Sequence, residues 1–448
     1  MITINEKQKN TDHSYLHKSF CLITLGCPKN QVDSEILAGQ LCGQGMKLVK
    51  EPDEADVIFI NTCGFIEQAK QESIQTILEA LQYKQRPRRP EVYVWGCLSE
   101  RYREEIGVEI PEADGYFGIE PFEQIGQFFL GSPYRFGSHM PARRILTTPS
   151  HVAYLKIAEG CDHGCTFCAI PQFKGPYRSR SRESLIREAE SLASNGVREL
   201  ILIAQDTTKY GADRHEKSGL VQLLRHLVKI DGIEWIRVMY SHPNHVDDAL
   251  IDTIAGEDKI CNYLDMPLQH IAEPVLAAMG RGGNRKTIER LIDRLRSRIP
   301  GLVLRTAFIV GFPTETDFYF EELLDFVRNT KFERLGAFLY SREEGTEAYS
   351  LGDPANPEIS GRRYHRLMEA QKKISLSLNQ ALEGTTARII LDEKSGNYLI
   401  GRTRGDCLDI DQTVWARGDA EVGSIVNLQI EEGEPYDLFG TIICGEMH

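Results

Sequence analysis

The chain has 448 residues, which is too long for one compact core and favours two to four domains. Its composition, 41% hydrophobic and 26% charged, is that of a soluble globular protein, and no apolar run approaches the roughly 18 residues that span a bilayer. The net charge of −13, from 52 Lys and Arg against 65 Asp and Glu, argues against binding nucleic acid by general phosphate neutralisation.

The first residues, 1–19, are polar and lack the apolar core of a secretion signal. We therefore expect a loose tail on a cytoplasmic protein that makes no use of a membrane. Disulfides rarely persist in the cytoplasm. The eleven cysteines consequently indicate metal ligands, catalysis or packing.

Residues 18–132 are predicted to form an N-terminal parallel α/β domain. Strands at 20–26, 56–62 and 91–96 alternate with helical stretches, a pattern typical of a parallel sheet covered by helices. Cys27, Cys63 and Cys97, here called the N-terminal triad, each directly follow one of these strands. Because the carboxyl ends of parallel strands share one edge, the three thiols are predicted to converge. Gly26 and Gly96 would allow close backbone approach to a bulky ligand there.

Residues 147–377 are predicted to form a second α/β domain, after a linker at 131–150 that is rich in Pro, Gly and Ser. Six apolar β runs, from AYLKIAE to LGAFLYS, alternate with helical stretches such as NRKTIERLIDRLRSR. Six β/α units favour an open, partial (β/α)6 barrel over a closed eight-unit barrel, which usually needs about 250 residues. A long helix at 362–382 follows.

The sequence pattern changes again in residues 379–446, where it indicates five short strands separated by turns that contain Gly and Asp. This pattern predicts a small all-β barrel. Residues 379–448 carry thirteen acidic and five basic side chains, a net charge of −8. Such a domain would repel RNA and attract a basic protein, although the acidity could also serve solubility alone.

Three further cysteines stand close together in GCDHGCTFCAIP, just after the first strand of the second domain. Cys161, Cys165 and Cys168, here called the motif triad, have the spacing C-x3-C-x2-C. Thiolates suit zinc and iron–sulfur clusters. A structural zinc site usually has four protein ligands, and the position of His163 between the first two cysteines makes it an unfavourable fourth ligand. A cubane held by three cysteines fits better, while simple packing of small apolar side chains stays as an alternative.

The motif triad, with Phe167 before its last cysteine, resembles the signature of radical S-adenosylmethionine enzymes. The resemblance implies a 4Fe-4S cluster whose open iron binds S-adenosyl-L-methionine and whose electron cleaves it to a 5′-deoxyadenosyl radical. Together with the N-terminal triad and the C-terminal barrel, which is TRAM-like, the chain resembles the methylthiotransferases from about residue 19 to 445. Membership of that family implies a second 4Fe-4S cluster on the N-terminal triad, which takes part in sulfur insertion into a C–H bond, and methyl transfer from S-adenosyl-L-methionine.

Residues that hold the cofactor should lie at the carboxyl ends of the barrel strands. We therefore expect Phe167, Gln205 and Gly311 to bind S-adenosyl-L-methionine. Asp206, Gln269 and Arg305 are further candidates at such strand ends. For each of them, a polar group satisfied by loop backbone is the competing interpretation.

The segments LGCPKNQVDSE around Cys27 and EPYDLFG near the C-terminus resemble those of one branch of this family, which modifies an aspartate of the small-subunit ribosomal protein numbered twelve. The resemblance implies that branch's reaction at the aspartate β-carbon, a basic ribosomal protein as substrate, and an electron donor such as flavodoxin or ferredoxin. The acidic barrel argues against transfer RNA. Methylthiolation of a transfer-RNA adenosine is the alternative enzyme reading, and a non-catalytic iron–sulfur redox sensor is the alternative of another class.

Overall fold

A computed structural model describes Thr3–Ile4, Tyr15, residues 17–119, Ile125, Phe129, and residues 144–352 and 356–443. Most of the predicted linker, 131–143, lies outside these residues. The chain divides into two compact units. The first contains Met1–Thr147, Glu159–His163 and Cys168–Glu188, and the second contains Thr148–Ala158, Gly164–Phe167 and Ala189–His448.

The first unit is built on a mixed sheet. Its strands are β1 (Thr3–Ile4), β2 (Ser19–Thr24), β3 (Lys47–Leu48), β4 (Val57–Thr62), β5 (Glu91–Gly96) and β6 (Gly115–Tyr116). The order is β1-β6-β5-β4-β2-β3, and β1 alone pairs antiparallel. The three predicted strands are β2, β4 and β5, which lie side by side, so the predicted parallel α/β domain is confirmed.

Helices of the first unit pack on its sheet and on one another. The helices are α1 (Pro28–Gly43), α2 (Glu67–Gln82), α3 (Cys97–Arg101), α4 (Arg103–Glu109), α5 (Ile170–Lys174) and α6 (Arg182–Ser194), the last of which runs on into the second unit. Pro28 starts α1, where its fixed φ suits a first helical residue. In α2 the buried residues Ser73, Ile77 and Ala80 are four and three positions apart, and therefore share one face.

The second unit contains a six-stranded parallel sheet, as predicted. Its strands are β7 (Val152–Lys156), β10 (Glu199–Ile203), β11 (Trp235–Val238), β12 (Ile260–Asp265), β13 (Val303–Val310) and β14 (Arg334–Leu339), in the order β14-β13-β12-β11-β10-β7. Two short strands, β8 (Ala158–Glu159) and β9 (Arg178–Ser179), lie outside it. The sheet is open, which confirms the partial barrel.

The helices of this sheet are α7 (Gly219–Leu227), α8 (Asp248–Gly256), α9 (Glu273–Ala278), α10 (Arg285–Arg298), α11 (Asp317–Thr330) and α12 (Pro357–Gln380). Their starts follow capping chemistry. Asn284 and Thr287 form a capping box at α10, and the Thr316 side chain accepts a hydrogen bond from the Tyr319 amide at α11. The predicted helix at 362–382 is α12. Short 3-10 helices occupy Pro52–Glu54, Tyr83–Gln85, Thr207–Lys209, Ala212–Arg214, Pro243–His245 and Glu347–Leu351.

The five predicted C-terminal strands close into a barrel, confirming the third element of the predicted fold. They are β15 (Thr386–Ser395), β16 (Tyr398–Thr403), β17 (Thr413–Arg417), β18 (Ile425–Gly433) and β19 (Asp437–Ile443), in the closed order β15-β16-β17-β19-β18. Alternate residues such as Leu399, Val414 and Leu438 fill its interior.

A buried ionic network links the barrel to the parallel sheet within the second unit. Arg237 Nε lies 2.9 Å from Glu199 Oε1, and Arg402 Nη2 lies 2.8 Å from Glu199 Oε2. Arg402 also contacts Asp392 at 2.7 Å, and His151 Nε2 lies 2.9 Å from the same carboxylate. Burial alone would raise the pKa of Glu199, but Arg402 and Arg237 hold that pKa below its ordinary value.

None of the helices in the described part of the chain has both the length and the apolar composition of a membrane span.

Candidate functional site

The N-terminal triad gathers at one edge of the first unit's sheet. Cys27, Cys63 and Cys97 follow β2, β4 and β5, which are neighbouring parallel strands, so their carboxyl ends coincide. A Cβ added to Gly26 would lie 2.8 Å from Cys63 Cβ and 2.9 Å from Cys63 Sγ. The backbone beside Cys27 therefore touches the Cys63 side chain, and only glycine leaves room for it. The predicted convergence holds.

Asn30 fixes these strand ends to each other. Its side-chain amide donates to the carbonyls of Leu25 and Thr62, at 3.0 and 3.1 Å. Its Oδ1 lies 3.7 Å from Cys97 Sγ. Asn30 stands on the first turn of α1 and is buried. It thus contacts the segments that carry all three cysteines, and sequence reasoning did not single it out.

The triad is largely withdrawn from water. Cys63 and Cys97 are 8% and 6% exposed, while Cys27 is half-buried. Burial raises the pKa of the Cys63 thiol and, more strongly, raises the pKa of Cys97 to about 12. The mutual repulsion of the three thiolates adds to both shifts. Thiolates at this place therefore need a cationic partner, which an iron–sulfur cluster provides. Three converging soft donors in a buried cradle fit such a cluster.

The short helix α5 links the segment that carries Cys168 to Cys97 within the first unit. It begins two residues after Cys168, and its flanking residue Ala169 and its own Phe173 form one buried apolar cluster with Cys97. Cys168 is therefore one residue from a side chain that packs against the N-terminal triad. Lys174, the last residue of α5, is buried, and its Nζ lies 3.5 Å from Glu159 Oε2.

Cys161 of the motif triad lies in the first unit on an extended loop. Its amide donates to the Gly175 carbonyl at 3.1 Å, and its sulfur accepts from the His163 amide at 3.5 Å. An amide that points at the sulfur stabilises a thiolate, as expected of a cluster ligand. The geometry gives His163 a backbone contact with Cys161.

Cys165 and Phe167 belong to the second unit, where the loop that carries them is tied to the end of α9. Thr166 donates from its amide to Met279 O at 3.0 Å and from its hydroxyl to Ala278 O at 2.7 Å. The Arg281 side chain follows, with Nη1 3.8 Å from Cys165 Sγ and Nη2 2.6 Å from Pro267 O. This places a guanidinium donor against one predicted iron ligand.

The three predicted cofactor residues lie at or beside the carboxyl edge of the parallel sheet. Phe167 packs against the apolar cluster that includes Phe312, which follows Gly311. Gln205 is half-buried just beyond β10. Gly311 has φ +80, its amide donates to Glu315 at 2.6 Å, and an added Cβ would lie 2.3 Å from the Ser360 hydroxyl oxygen. Packing therefore requires glycine at position 311, whether or not this residue contacts a ligand.

The other candidates from the sequence contact protein groups in the structure. Arg305 lies 2.9 Å from Asp265 and 3.3 Å from Asp411, two buried carboxylates. Asp206 accepts from the Thr208 amide at 2.9 Å and contacts His245 Nδ1 at 2.8 Å. The backbone of Gln269 bridges to Phe308 with φ +70.

The remaining cysteines that the structure describes belong to neither triad. Cys21 lies in the first unit's core, and Cys261 and Cys407 are buried in the second unit. Cys42 is half-buried on α1. Cys444 lies outside the described residues.

Three family models match consecutive parts of the chain. Residues 19–118 match the uncharacterized protein family UPF0004, residues 155–327 match the radical SAM superfamily, and residues 384–443 match the TRAM domain. The matched segments contain, in turn, the N-terminal triad, the motif triad and the closed barrel. The motif triad thus lies in a recognised radical-SAM segment.

Among curated proteins, the chain is 46% identical over 422 residues to the ribosomal protein uS12 methylthiotransferase RimO of Flavobacterium psychrophilum, covering 94% of this chain and 96% of that protein. The enzyme of the same name from Clostridioides difficile is 45% identical over 435 residues, with coverages of 94% and 98%. Among solved structures, the radical S-adenosylmethionine methyltransferase TsrM from Kitasatospora setae, with cobalamin and a [4Fe-4S] cluster bound, matches with a TM-score of 0.56. It is 16% identical and covers 76% of this chain and 80% of its own, so it supports the fold alone.

Proposed function

Because the chain belongs to the family of ribosomal protein uS12 methylthiotransferases, we propose that it adds a methylthio group to the β-carbon of an aspartate of ribosomal protein uS12. The membership makes it a radical S-adenosylmethionine enzyme that uses an iron–sulfur cluster. The finer proposal is that two 4Fe-4S clusters serve the reaction, one on each cysteine triad. We also retain the three domains at 18–132, 147–377 and 379–446.

One observation carries the two-cluster proposal. Cys97 shares a buried apolar cluster with Ala169 and Phe173, and Ala169 directly follows Cys168. A sulfur-supplying group and a group that activates the substrate carbon must reach the same substrate atom. The short link from Cys168 to Cys97 supports that requirement, since it keeps a ligand of each triad close to the other.

At the motif triad, Cys161, Cys165 and Cys168 would hold the cluster that binds S-adenosyl-L-methionine. When bound, this cluster supplies the electron that cleaves the sulfonium bond of the cofactor. The protein's own contribution is to hold the thiolates. The His163 amide and the Arg281 guanidinium both donate towards ligand sulfurs. We propose Phe167, Gln205 and Gly311 as the residues that contact S-adenosyl-L-methionine.

At the N-terminal triad, Cys27, Cys63 and Cys97 would hold the cluster that takes part in sulfur insertion. The chain excludes water around Cys63 and Cys97, and Asn30 locks the three ligand-bearing segments in place. A fixed, dry ligand set preserves the geometry that sulfur delivery requires.

The barrel is proposed to dock the basic substrate protein. Eight acidic side chains of its described residues are exposed, namely Glu383, Glu393, Asp409, Asp419, Glu421, Glu431, Glu432 and Glu434. The exposed basic ones are Arg388, Lys394 and Arg417, and Arg417 is already paired with Glu431. This excess favours a basic protein over transfer RNA. A flavodoxin or ferredoxin is proposed as the electron donor, and the cytoplasm as the site of action.

In the test, the reconstituted enzyme is incubated with dithionite and S-adenosyl-L-methionine in two parallel reactions, one with uS12 and one with a transfer RNA. We expect 5′-deoxyadenosine to be released and a methylthio group to replace one hydrogen on a uS12 aspartate only. Modification of the transfer RNA instead would support the alternative enzyme reading. Absence of any cleavage of S-adenosyl-L-methionine would support a redox sensor.

A further inference from the structure

Three aromatic side chains lie on the outside of the C-terminal barrel. Tyr398, Trp415 and Phe439, here called the aromatic surface, belong to the neighbouring strands β16, β17 and β19. Their neighbours in the sequence fill the barrel interior, namely Leu399, Val414, Ala416 and Leu438. Because successive side chains of a strand point to opposite faces, the three rings point outward.

The rings of the aromatic surface contact one another across the strands. Trp415 lies opposite Phe439 in the register of β17 and β19, and their rings stack with centroids 6.4 Å apart and planes inclined by 12°. The Tyr398 ring meets the Trp415 ring edge to face at 5.8 Å. Tyr398 is exposed, while Trp415 and Phe439 are half-buried. A partner can therefore reach all three rings on one patch.

Carboxylates border the aromatic surface. Asp437 accepts a hydrogen bond from Trp415 Nε1 at 2.8 Å. Glu432 is exposed and lies opposite Phe439 in the register of β18 and β19. Glu393, on the strand that pairs with β16, is exposed as well. Since aromatic faces carry partial negative charge, rings and carboxylates together favour a cation.

Two of the three exposed cations on the described part of the barrel are already paired. Arg417, two positions after Trp415 on β17, pairs with Glu431, and Arg388 lies 3.5 Å from Glu234. The third, Lys394, lies on β15. A nucleic acid that stacked its bases on the rings would bring its phosphates against the bordering carboxylates, whereas a basic protein would be attracted.

We propose that the aromatic surface is the part of the barrel that binds the basic substrate protein, and that its rings receive arginine or lysine side chains of uS12 in cation–π contacts. The proposal rests on the proposed function, because uS12 is the partner that it requires. Arginine suits the site best, since a guanidinium group stacks on a ring and also forms paired hydrogen bonds with a carboxylate.

The experiment measures the dissociation constant of the anaerobically reconstituted full chain for uS12 by isothermal titration calorimetry, and for a transfer RNA in parallel. Trp415→Leu keeps an apolar side chain but removes the ring, and should weaken uS12 binding about fivefold, equivalent to about 1 kcal/mol. Trp415→Phe, which keeps a ring, should retain most of the affinity. The matched control Phe318→Leu removes an exposed ring on α11, outside the barrel, and should leave the affinity unchanged.

Tyr398→Leu provides a second variant at the most exposed ring, and a cooperative thermal transition checks that each variant is folded. Weaker uS12 binding by a folded Trp415→Leu or Tyr398→Leu variant, with Phe318→Leu unaffected, supports the aromatic surface. Binding of uS12 that neither folded variant weakens, or an equal loss in Phe318→Leu, would overturn the aromatic surface and leave the proposed function standing. Binding of the transfer RNA in place of uS12 by the unchanged chain would overturn both proposals.

Discussion

Gly26→Ala should selectively remove the N-terminal cluster. The new Cβ would lie 2.9 Å from Cys63 Sγ, whereas ordinary contacts are about 3.5 to 4.0 Å. Relieving the clash displaces the sulfur by about 0.6 Å, while metal–ligand distances in proteins tolerate only about 0.2 Å. The positive φ of +88 adds a backbone cost of about 1–2 kcal/mol, and overpacking adds about 1–3 kcal/mol.

The matched control is Gly45→Ala. Gly45 has φ +99 but nothing within 4 Å of an added Cβ, so it bears the backbone strain without the clash. Iron and acid-labile sulfide are measured in anaerobically reconstituted protein. Gly45→Ala should keep about eight irons per chain, as two cubanes require, and Gly26→Ala about four. Equal iron in both variants would refute the argument that the Gly26 backbone defines the ligand cradle.

Three further outcomes are expected. Arg281→Gln should leave the iron content unchanged but move the midpoint potential of the motif cluster downward, because it removes a donor to Cys165. A redox titration checks this against the control Arg285→Gln, which removes an arginine that pairs with Glu289 and Glu322. Glu199→Gln should cost about 3–5 kcal/mol of unfolding free energy by denaturant titration, because it leaves Arg237 and Arg402 without their shared carboxylate. The folded pKa of Glu199 is depressed, so the stabilisation from its ionised form is present above the unfolded pKa and is lost as pH falls through the lower folded pKa. The unfolding free energy of Glu199→Gln should therefore fall less steeply with acid than that of the unchanged chain, and equal slopes would contradict the argument. Changing the exposed Glu432 and Glu434 to Lys should raise the KM for uS12 several-fold at low salt and little at high salt. The control Glu104→Lys, in the first unit, should leave the KM unchanged, and an effect of the barrel variant that does not depend on salt would count against electrostatic docking.

The fold could be read from the sequence where local rules decide it. The β runs alternate with helical stretches, and the edge rule for parallel strands then places Cys27, Cys63 and Cys97 together although 36 and 34 residues separate them. The five C-terminal strands were predictable from their turns. The short strands β3 and β6 were not, because two-residue strands form only where a neighbouring strand offers hydrogen bonds.

The residues that sequence reasoning missed depend on tertiary contacts. Asn30 acquires its role because the start of α1 lies between the ends of β2 and β4. Arg305 stands at a strand end, and its pairs with Asp265 and Asp411 depend on the tertiary fold, since Asp411 comes from a loop of the C-terminal barrel.

The central claim is that two cysteine triads on one chain divide the work of methylthiolation. The most direct measurement follows both S-adenosyl-L-methionine cleavage and uS12 mass in the variant with Cys27, Cys63 and Cys97 changed to Ala. The account predicts that this variant still releases 5′-deoxyadenosine but leaves uS12 without a methylthio group. A methylthiolated uS12 from this variant would contradict it.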